Sequence, residues 1–284
     1  MTKHVALIGY PLRHSISPSF QQAAFAHYHL DIQYEKWETE ASSLDDTIDR
    51  LRQSSVLGAN VTIPYKEAVM PLLDDLDEFV ARIGAANTIV NRGGRLLGYN
   101  TDADGFIRAL RQDGGFEPRD KCAAILGAGG AARAVSFALG REGARRLIIV
   151  NRTAERAERL AISLKGDLAP DTDITTLPWD EIRSSKALSP CDLLVNCTSL
   201  GVKHSPTEGE TPLEADSIPK GALVCDLVYN PIETPLLREA KKAGVRGLGG
   251  LAMLVYQGAD SFKLWVNRQP PVDIMLRQAR KALG

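Results

Sequence analysis

K-C-A-A-I-L-G-A-G-G-A-A-R-A-V-S-F-A-L, from Lys121 to Leu139, decides how this chain is read. Cys122 to Leu126 is a short apolar run of the kind that forms a buried strand. It ends at the cluster Gly127-Ala128-Gly129-Gly130-Ala131-Ala132, and a helix-periodic apolar segment follows at once. The order is strand, tight glycine turn, helix. Such a turn places the free N–H groups of a helix N-terminus where an anion can sit. The cluster fits G-x-G-x-x-[GA], with Ala132 last, in the strand–turn–helix context that the dinucleotide fingerprint requires. The competing reading is a glycine turn that serves packing alone.

The strand after that helix indicates which dinucleotide. Leu147 to Val150 is apolar and ends in Asn151-Arg152-Thr153, about 20 residues past the glycines, where the fingerprint places its ribose reader. A carboxylate there would bond the 2′-hydroxyl of NAD and repel a phosphate. This chain offers Arg152, with Arg156 one helical turn on, and a guanidinium is a planar fork suited to phosphate oxygens. The reading is NADP; the alternative is two solvated arginines at a helix start. S-adenosylmethionine uses the same unit but carries no 2′-phosphate and usually wants an acid here.

The strands of this second lobe are read at 122–126, 147–150, 174–177, 193–197, 223–227 and 245–248, alternating with helices. Thr234-Pro235 opens a helix that ends in Lys241-Lys242-Ala243-Gly244, with cations and glycine at its C-terminal end. Upstream, His4 to Gly9 reads as a buried strand. Ser17-Pro18 reads as an N-cap with proline at the first helical position, and the helix runs to about Leu30. Ile32 to Trp37 alternates as a half-buried strand does, and Leu44, Ile48 and Leu51 mark a helix. Ala59 to Ile63 is a strand, and Pro64 is expected to open a helix towards Leu73. Thr88 to Val90 and Leu96 to Tyr99 form a hairpin across Gly93-Gly94. Helical segments at 104–111, 251–266 and 272–283 complete the reading.

The expected class is therefore α/β in two domains: an N-terminal lobe with a mostly parallel sheet, residues 1–102, and a Rossmann-like NADP-binding domain, residues 103–249. The 284 residues suffice for two ordinary domains. The formal net charge of -1 gives no field for nucleic acid or an anionic membrane. No apolar stretch approaches the roughly 20 residues that span a bilayer, and the first apolar run is too short for a secretion signal. A cytoplasmic protein with a small-molecule substrate, monomer or homodimer, is the expectation. The four cysteines form no C-x-x-C pair, and the five histidines form no H-x-x-x-H pair. No metal site or catalytic histidine is expected.

Many short motifs, in order along nearly the whole chain, carry a resemblance. They are G-Y-P-L-R-H-S-I-S-P (9–18), G-A-N-V-T-I-P-Y-K-E (58–67), G-A-A-N-T-I-V (84–90), G-Y-N-T-D (98–102), G-A-G-G-A-A-R (127–133), N-R-T (151–153), N-C-T-S-L-G (196–201), D-L-V-Y-N-P (226–231) and G-L-A-M-L-V-Y-Q (250–257). In these the chain resembles the shikimate dehydrogenases. The resemblance implies NADP-dependent reduction of 3-dehydroshikimate to shikimate, in the pathway to chorismate and the aromatic amino acids. It also implies that helices within 250–284 complete the first lobe.

The residue types suit such a substrate, a small ring with one carboxylate and three hydroxyls. Ser15 and Ser17, before a helix N-terminus, offer hydroxyls and a dipole to the carboxylate, and the resemblance adds Tyr229. For Ser17 the plain alternative is capping. Asn60, Thr62, Lys66, Asn87 and Asp102 lie at strand edges and loops, where catalytic groups usually lie. Ketone reduction needs a proton from the protein, and Lys66, oriented by Asp102, is the best donor. Read without the resemblance, the pair serves equally as a surface ion pair worth under about 1 kcal/mol. By resemblance Gln257 meets a substrate hydroxyl. By the same token Gly127, Ala128, Gly129, Gly130, Ala131, Asn151, Arg152, Thr153, Arg156, Thr198, Leu227, Gly250 and Met253 meet the cofactor. Met253 is explained as well by core packing. Gly249 and Ala252 depart from the family's common aspartate and glycine. The rival readings are a dehydrogenase that also takes quinate, against which the Ser15-x-Ser17 pair leans, and an NADP-sensing protein without catalysis, against which Lys66 and Asp102 argue.

Overall fold

The computed structural model describes residues 1–168, 172–182 and 186–284. The chain forms two compact units: residues 1–105 with 255–284, and residues 106–254. The division falls inside two helices, α4 (Asp102–Gln112) and α8 (Leu251–Val266). Among the described residues, no helix is long and apolar enough to cross a membrane.

Unit 1 contains β1 (Lys3–Gly9), α1 (Ser17–His27), β2 (Ile32–Glu38), α2 (Leu44–Arg50), β3 (Val56–Val61), β4 (Asp75–Leu76), α3 (Glu78–Ile83), β5 (Thr88–Arg92) and β6 (Arg95–Tyr99), and ends with α9 (Val272–Leu283). Its sheet runs β2-β1-β3-β5-β6-β4. The pairings β1–β2, β1–β3 and β4–β6 are parallel. The hairpin partners β5 and β6 are antiparallel, as is β3–β5. From Val5 to Gly9 β1 is apolar and buried, as a central strand covered on both faces must be. β2, at the edge, alternates buried and exposed positions. One face of the sheet carries a core of Ile8, Leu51, Val56, Val69, Ile89 and Leu96. Elsewhere in the unit, Phe25 of α1 stacks on Phe262 of α8 at 5.5 Å between ring centroids. Burying each such ring stabilises the fold by about 2–3 kcal/mol.

Three local readings need correction. α1 ends at His27, not Leu30, and its N-cap is Ile16, with no side-chain capping bond. Ser17 is the first helical residue, and its N–H donates to Ser15 Oγ at 3.3 Å. The expected helix from Pro64 to Leu73 does not form; the segment is a chain of turns closed by a 3-10 turn at Met70–Leu72. The Lys66 carbonyl, which such a helix needs for its own ladder, instead accepts from Ala86 N–H at 2.8 Å. Pro71 offers no N–H to continue one. α3, which the sequence reading passed over, has an Asp77 side chain accepting from Phe79 N–H and a left-handed Gly84 at its end.

Unit 2 contains β7 (Cys122–Leu126), α5 (Gly130–Arg141), β8 (Arg146–Asn151), α6 (Ala154–Asp167), β9 (Asp173–Pro178), β10 (Leu193–Asn196), β11 (Leu223–Asp226), α7 (Pro235–Lys242) and β12 (Arg246–Gly249). Its sheet runs β12-β11-β10-β7-β8-β9 with every pairing parallel. This is the doubly wound order, reversing between β7 and β10, and ligands of such sheets sit beyond the strand C-termini at that reversal. Cys122, Cys191 and Cys225 are buried and all four cysteines are free thiols.

Candidate active site

Lys66 leaves β3 through turns that are held on both sides. The Tyr65 hydroxyl donates to the Thr39 carbonyl at 2.7 Å, and the Lys66 carbonyl is fixed by Ala86. Asp102 opens α4, where Asn100 Oδ1 accepts from the Asp102 and Ala103 N–H groups at 3.0 and 3.3 Å. The side chains of these two held segments meet: Lys66 Nζ donates to Asp102 Oδ2 at 2.5 Å. Their side chains are 15% and 6% exposed, so the pair lies largely out of water and is no surface ion pair.

Asn87, the residue before β5, completes the arrangement. Its Nδ2 donates to Asp102 Oδ1 at 3.0 Å and to Gln257 Oε1 at 3.1 Å. Thr101 N–H donates to Asn87 Oδ1 at 2.8 Å. A backbone N–H can only donate, so it sets the orientation of the amide and turns Nδ2 onto the carboxylate. Lys66, Asn87, Asp102 and Gln257 are thus joined into one polar cluster within unit 1. It can hold a carboxylate fixed beside an ammonium proton donor.

The other expected substrate residues stand differently. Asn60 is buried and committed to internal partners: Oδ1 accepts from the Tyr34 hydroxyl at 2.8 Å, and Nδ2 donates to Ser261 Oγ at 3.0 Å, Thr88 Oγ1 at 3.2 Å and the Asn87 carbonyl at 3.2 Å. Ser15 and Thr62 are half-buried and Ser17 is buried. Tyr229 belongs to unit 2, half-buried in the loop after β11. Tyr34, Thr88, Thr101 and Ser261, all buried in the same network, were not singled out from the sequence. Ser261 had one signal: it stands four residues after Gln257 and shares its helix face.

The expected cofactor residues all belong to unit 2, and most follow the C-terminal ends of its strands. The turn after β7 bends at Gly127, whose φ of 116° only glycine adopts readily, and a Cβ there would lie 3.3 Å from the Cys197 backbone. α5 begins with Gly129 as N-cap, with no side-chain cap and no acidic residue in its first turn. Its first N–H groups therefore carry their partial positive charge uncompensated. A Cβ on Gly129 would meet nothing within 4 Å, so the cradle is open above the backbone. These features fit a pyrophosphate. At the end of β8, Arg152, Thr153 and Arg156 are exposed, and Asn151 Nδ2 donates to the Thr153 carbonyl at 2.9 Å. Two guanidinium groups there suit a 2′-phosphate. Thr198 follows β10, its hydroxyl donating to Asn196 Oδ1 at 2.7 Å. Gly250 follows β12 and lies against Leu227 so closely that a Cβ would come 2.2 Å from the Leu227 carbonyl oxygen. Met253 is 7% exposed.

The last residue of β11, Asp226, is a buried carboxylate. Asp226 accepts from Asn196 Nδ2 at 2.9 Å, from Thr234 Oγ1 at 2.6 Å and from Val228 N–H at 3.1 Å. Thr234 is also the N-cap of α7, accepting from Leu237 N–H at 3.2 Å. Burial pushes the Asp226 carboxyl up to about 6 from its ordinary 3.8. The folded state therefore holds this proton at pH values where the unfolded chain has released it. The group costs nothing below about pH 4, and its penalty grows to roughly 3 kcal/mol above pH 6. Asp226→Asn is expected to gain stability on the parent as pH rises from 4 to 7. Urea unfolding at both ends of that range checks this; a constant difference would show an ordinary carboxyl.

Among the described residues no group of three or more His, Cys, Asp and Glu is placed to hold a metal. Comparison with known proteins agrees with the two-unit layout. Residues 7–89 match the family model of the shikimate dehydrogenase substrate binding domain. Residues 111–202 match that of shikimate / quinate 5-dehydrogenase, and 250–280 that of the shikimate 5'-dehydrogenase C-terminal domain. A shikimate dehydrogenase (NADP(+)) of Moorella thermoacetica is 46% identical over 280 residues, 99% of this chain and 93% of that protein. Its counterpart in Methanopyrus kandleri is 46% identical over 275 residues, 96% of this chain and 93% of that one. Among solved structures, the shikimate 5-dehydrogenase of Thermus thermophilus, in complex with NADP(H) and shikimate, has a TM-score of 0.86 at 37% identity, covering 99% of this chain and 100% of that one.

Proposed function

The chain belongs to the shikimate dehydrogenase family, and from that premise we propose how its own residues divide the work. It is an NADP-dependent oxidoreductase that reduces 3-dehydroshikimate reversibly to shikimate, a step towards chorismate and the aromatic amino acids. NADPH supplies the hydride. The phosphates fall to the α5 N-terminus and to Arg152 and Arg156. Leu227 and Gly250 would approach the nicotinamide, and Thr198 and Met253 would help hold the cofactor.

Lys66 Nζ delivers the proton to the carbonyl oxygen of the substrate as it is reduced, and takes it back in the reverse direction. Asp102 holds that ammonium group by one oxygen while Asn87 holds its other oxygen. Asn87 and Gln257 serve the ring hydroxyls, and Thr62 adds a hydroxyl beside them. Ser15, Ser17 and Tyr229 take the carboxylate. Asn60 supports these groups from behind, since both ends of its amide are already engaged. The observation that carries this reading is the Lys66–Asp102–Asn87–Gln257 cluster, an ammonium donor held on a fixed carboxylate away from bulk water. The enzyme acts on this small molecule in the cytoplasm, as a monomer or homodimer.

The direct test is the absorbance of reduced nicotinamide with shikimate or quinate against NADP or NAD. Reduction of NADP with shikimate is the expected result, faster than with quinate. No shikimate-dependent reduction of either cofactor would contradict the assignment.

A further inference from the structure

The polar residues behind Asp102 form more than a set of satisfied partners. Two of their orientations are set by backbone groups. Asn60 Nδ2 lies 3.2 Å from the Asn87 carbonyl, which can only accept, so Asn60 Oδ1 faces the Tyr34 hydroxyl. Thr101 N–H can only donate, so Asn87 Oδ1 faces it and Nδ2 faces Asp102.

Between these fixed amides stand three hydroxyls, those of Thr88, Thr101 and Ser261; Thr101 Oγ1 accepts from Asn87 Nδ2 at 2.9 Å and lies 3.2 Å from Ser261 Oγ. Asn60 Nδ2 donates to Ser261 Oγ at 3.0 Å. Thr88 Oγ1 donates to Asn87 Oδ1 at 3.1 Å. With its one proton so used, Thr88 accepts in the 2.7 Å bond with Ser261, and Ser261 donates. The Ser261 proton is shared with the carbonyl of Gln257, 2.9 Å away and one helical turn earlier. One run of bonds then points the same way: Tyr34 to Asn60, Asn60 to Ser261, Ser261 to Thr88, Thr88 to Asn87, Asn87 to Asp102, with a branch from Asn60 Nδ2 directly to Thr88 at 3.2 Å. Burial pushes the Tyr34 phenol well above its usual value, so it remains a donor at the head of the chain. Tyr34, Asn60, Thr88, Asn87, Asp102 and Ser261 are all buried, and in such surroundings aligned hydrogen bonds polarise one another.

We propose that Tyr34 and Ser261 are positioning residues for the reaction: they head and join a one-way hydrogen-bond chain that fixes the Asn87 amide on the Asp102 carboxylate and so holds Lys66 in place. The proposal rests on the assignment of Lys66 and Asp102 to proton transfer. Neither Tyr34 nor Ser261 touches Lys66 or Asp102. Each acts through Asn87, and a small misplacement of a proton donor costs catalysis out of proportion to its size.

The test is a double-mutant cycle on kcat with Ser261→Ala and Tyr34→Phe, each of which removes one hydroxyl and little volume. Ser261→Ala is expected to lower kcat about tenfold and Tyr34→Phe about threefold, with NADPH affinity changed less than about twofold. Asn60 Nδ2 also reaches Thr88 Oγ1 directly at 3.2 Å, so a break at Ser261 weakens the link from Tyr34 to Asp102 and leaves this longer route. The double variant should therefore lose clearly less than the roughly thirtyfold that independent losses would give. A merely structural role would lower the melting temperature and leave kcat of the folded protein unchanged. Unchanged kcat, or losses that multiply, would overturn the chain. Lys66→Ala is measured alongside. If it loses activity while the two hydroxyl variants keep theirs, only the chain fails; if it keeps full kcat, the proton-transfer assignment fails and takes the chain with it.

Discussion

Lys66→Ala is expected to lower kcat for shikimate oxidation about 10³-fold while KM rises by less than about tenfold. General acid–base groups contribute about 10² to 10⁴ in rate, and Lys66 is the ammonium group held on the fixed carboxylate. Loss confined to kcat is the mark of an interaction made in the transition state rather than in binding. Removing the lysine also leaves Asp102 6% exposed with its charge uncompensated, so Lys66→Met, which fills the space, should be assayed in parallel. A small primary amine added to the alanine variant should restore part of the rate if the missing group is the proton carrier. An unchanged kcat would remove Lys66 from the chemistry.

The second large effect concerns the choice of dinucleotide. Arg152→Ala is expected to weaken NADP about 10- to 100-fold and NAD by less than about twofold, since a charge-assisted bond contributes about 1.5–3 kcal/mol. Arg152 is exposed just past the end of β8; in the binding mode proposed above, NAD would present a hydroxyl to it and NADP a phosphate. Titration of nicotinamide fluorescence with both reduced cofactors separates the cases. Equal losses for the two would place the guanidinium on a part they share. The contact is solvated, so its share should shrink as salt is raised.

What the sequence made legible was whatever local chemistry decides. β7 runs from Cys122 to Leu126 because Lys121 and Gly127 bound an apolar run, and α7 begins at Pro235 because Thr234 caps it and ends where cations and Gly244 stop it. The placement of Lys66 was misread for the opposite reason. Pro64 and the apolar spacing towards Leu73 look helical, but the Lys66 carbonyl pairs with Ala86, twenty residues away, and no local rule reveals that partner. Ser17 looked like a cap and is the first residue inside its helix, because Ser15 supplies the acceptor. The residues of the site that carry a charge stood out by type. Tyr34 and Ser261 did not, since a buried tyrosine or serine reads as filler until its partners, Asn60 and Thr88, are seen beside it.

The division of the chain has a consequence for the order in which the protein can be made. Unit 1 takes residues from 1–105 and from 255–284. During synthesis Lys66, Asn87 and Asp102 leave the ribosome early, yet Gln257 and Ser261 arrive only after all of unit 2. Unit 2 is continuous and can fold while the earlier residues wait with their apolar strands lacking α8 and α9. Those strands must then bridge some 150 intervening residues, the kind of distant closure that slows folding and lengthens exposure to aggregation. A nascent chain that has just completed unit 2 carries every residue expected to meet the cofactor, but neither Gln257 nor Ser261.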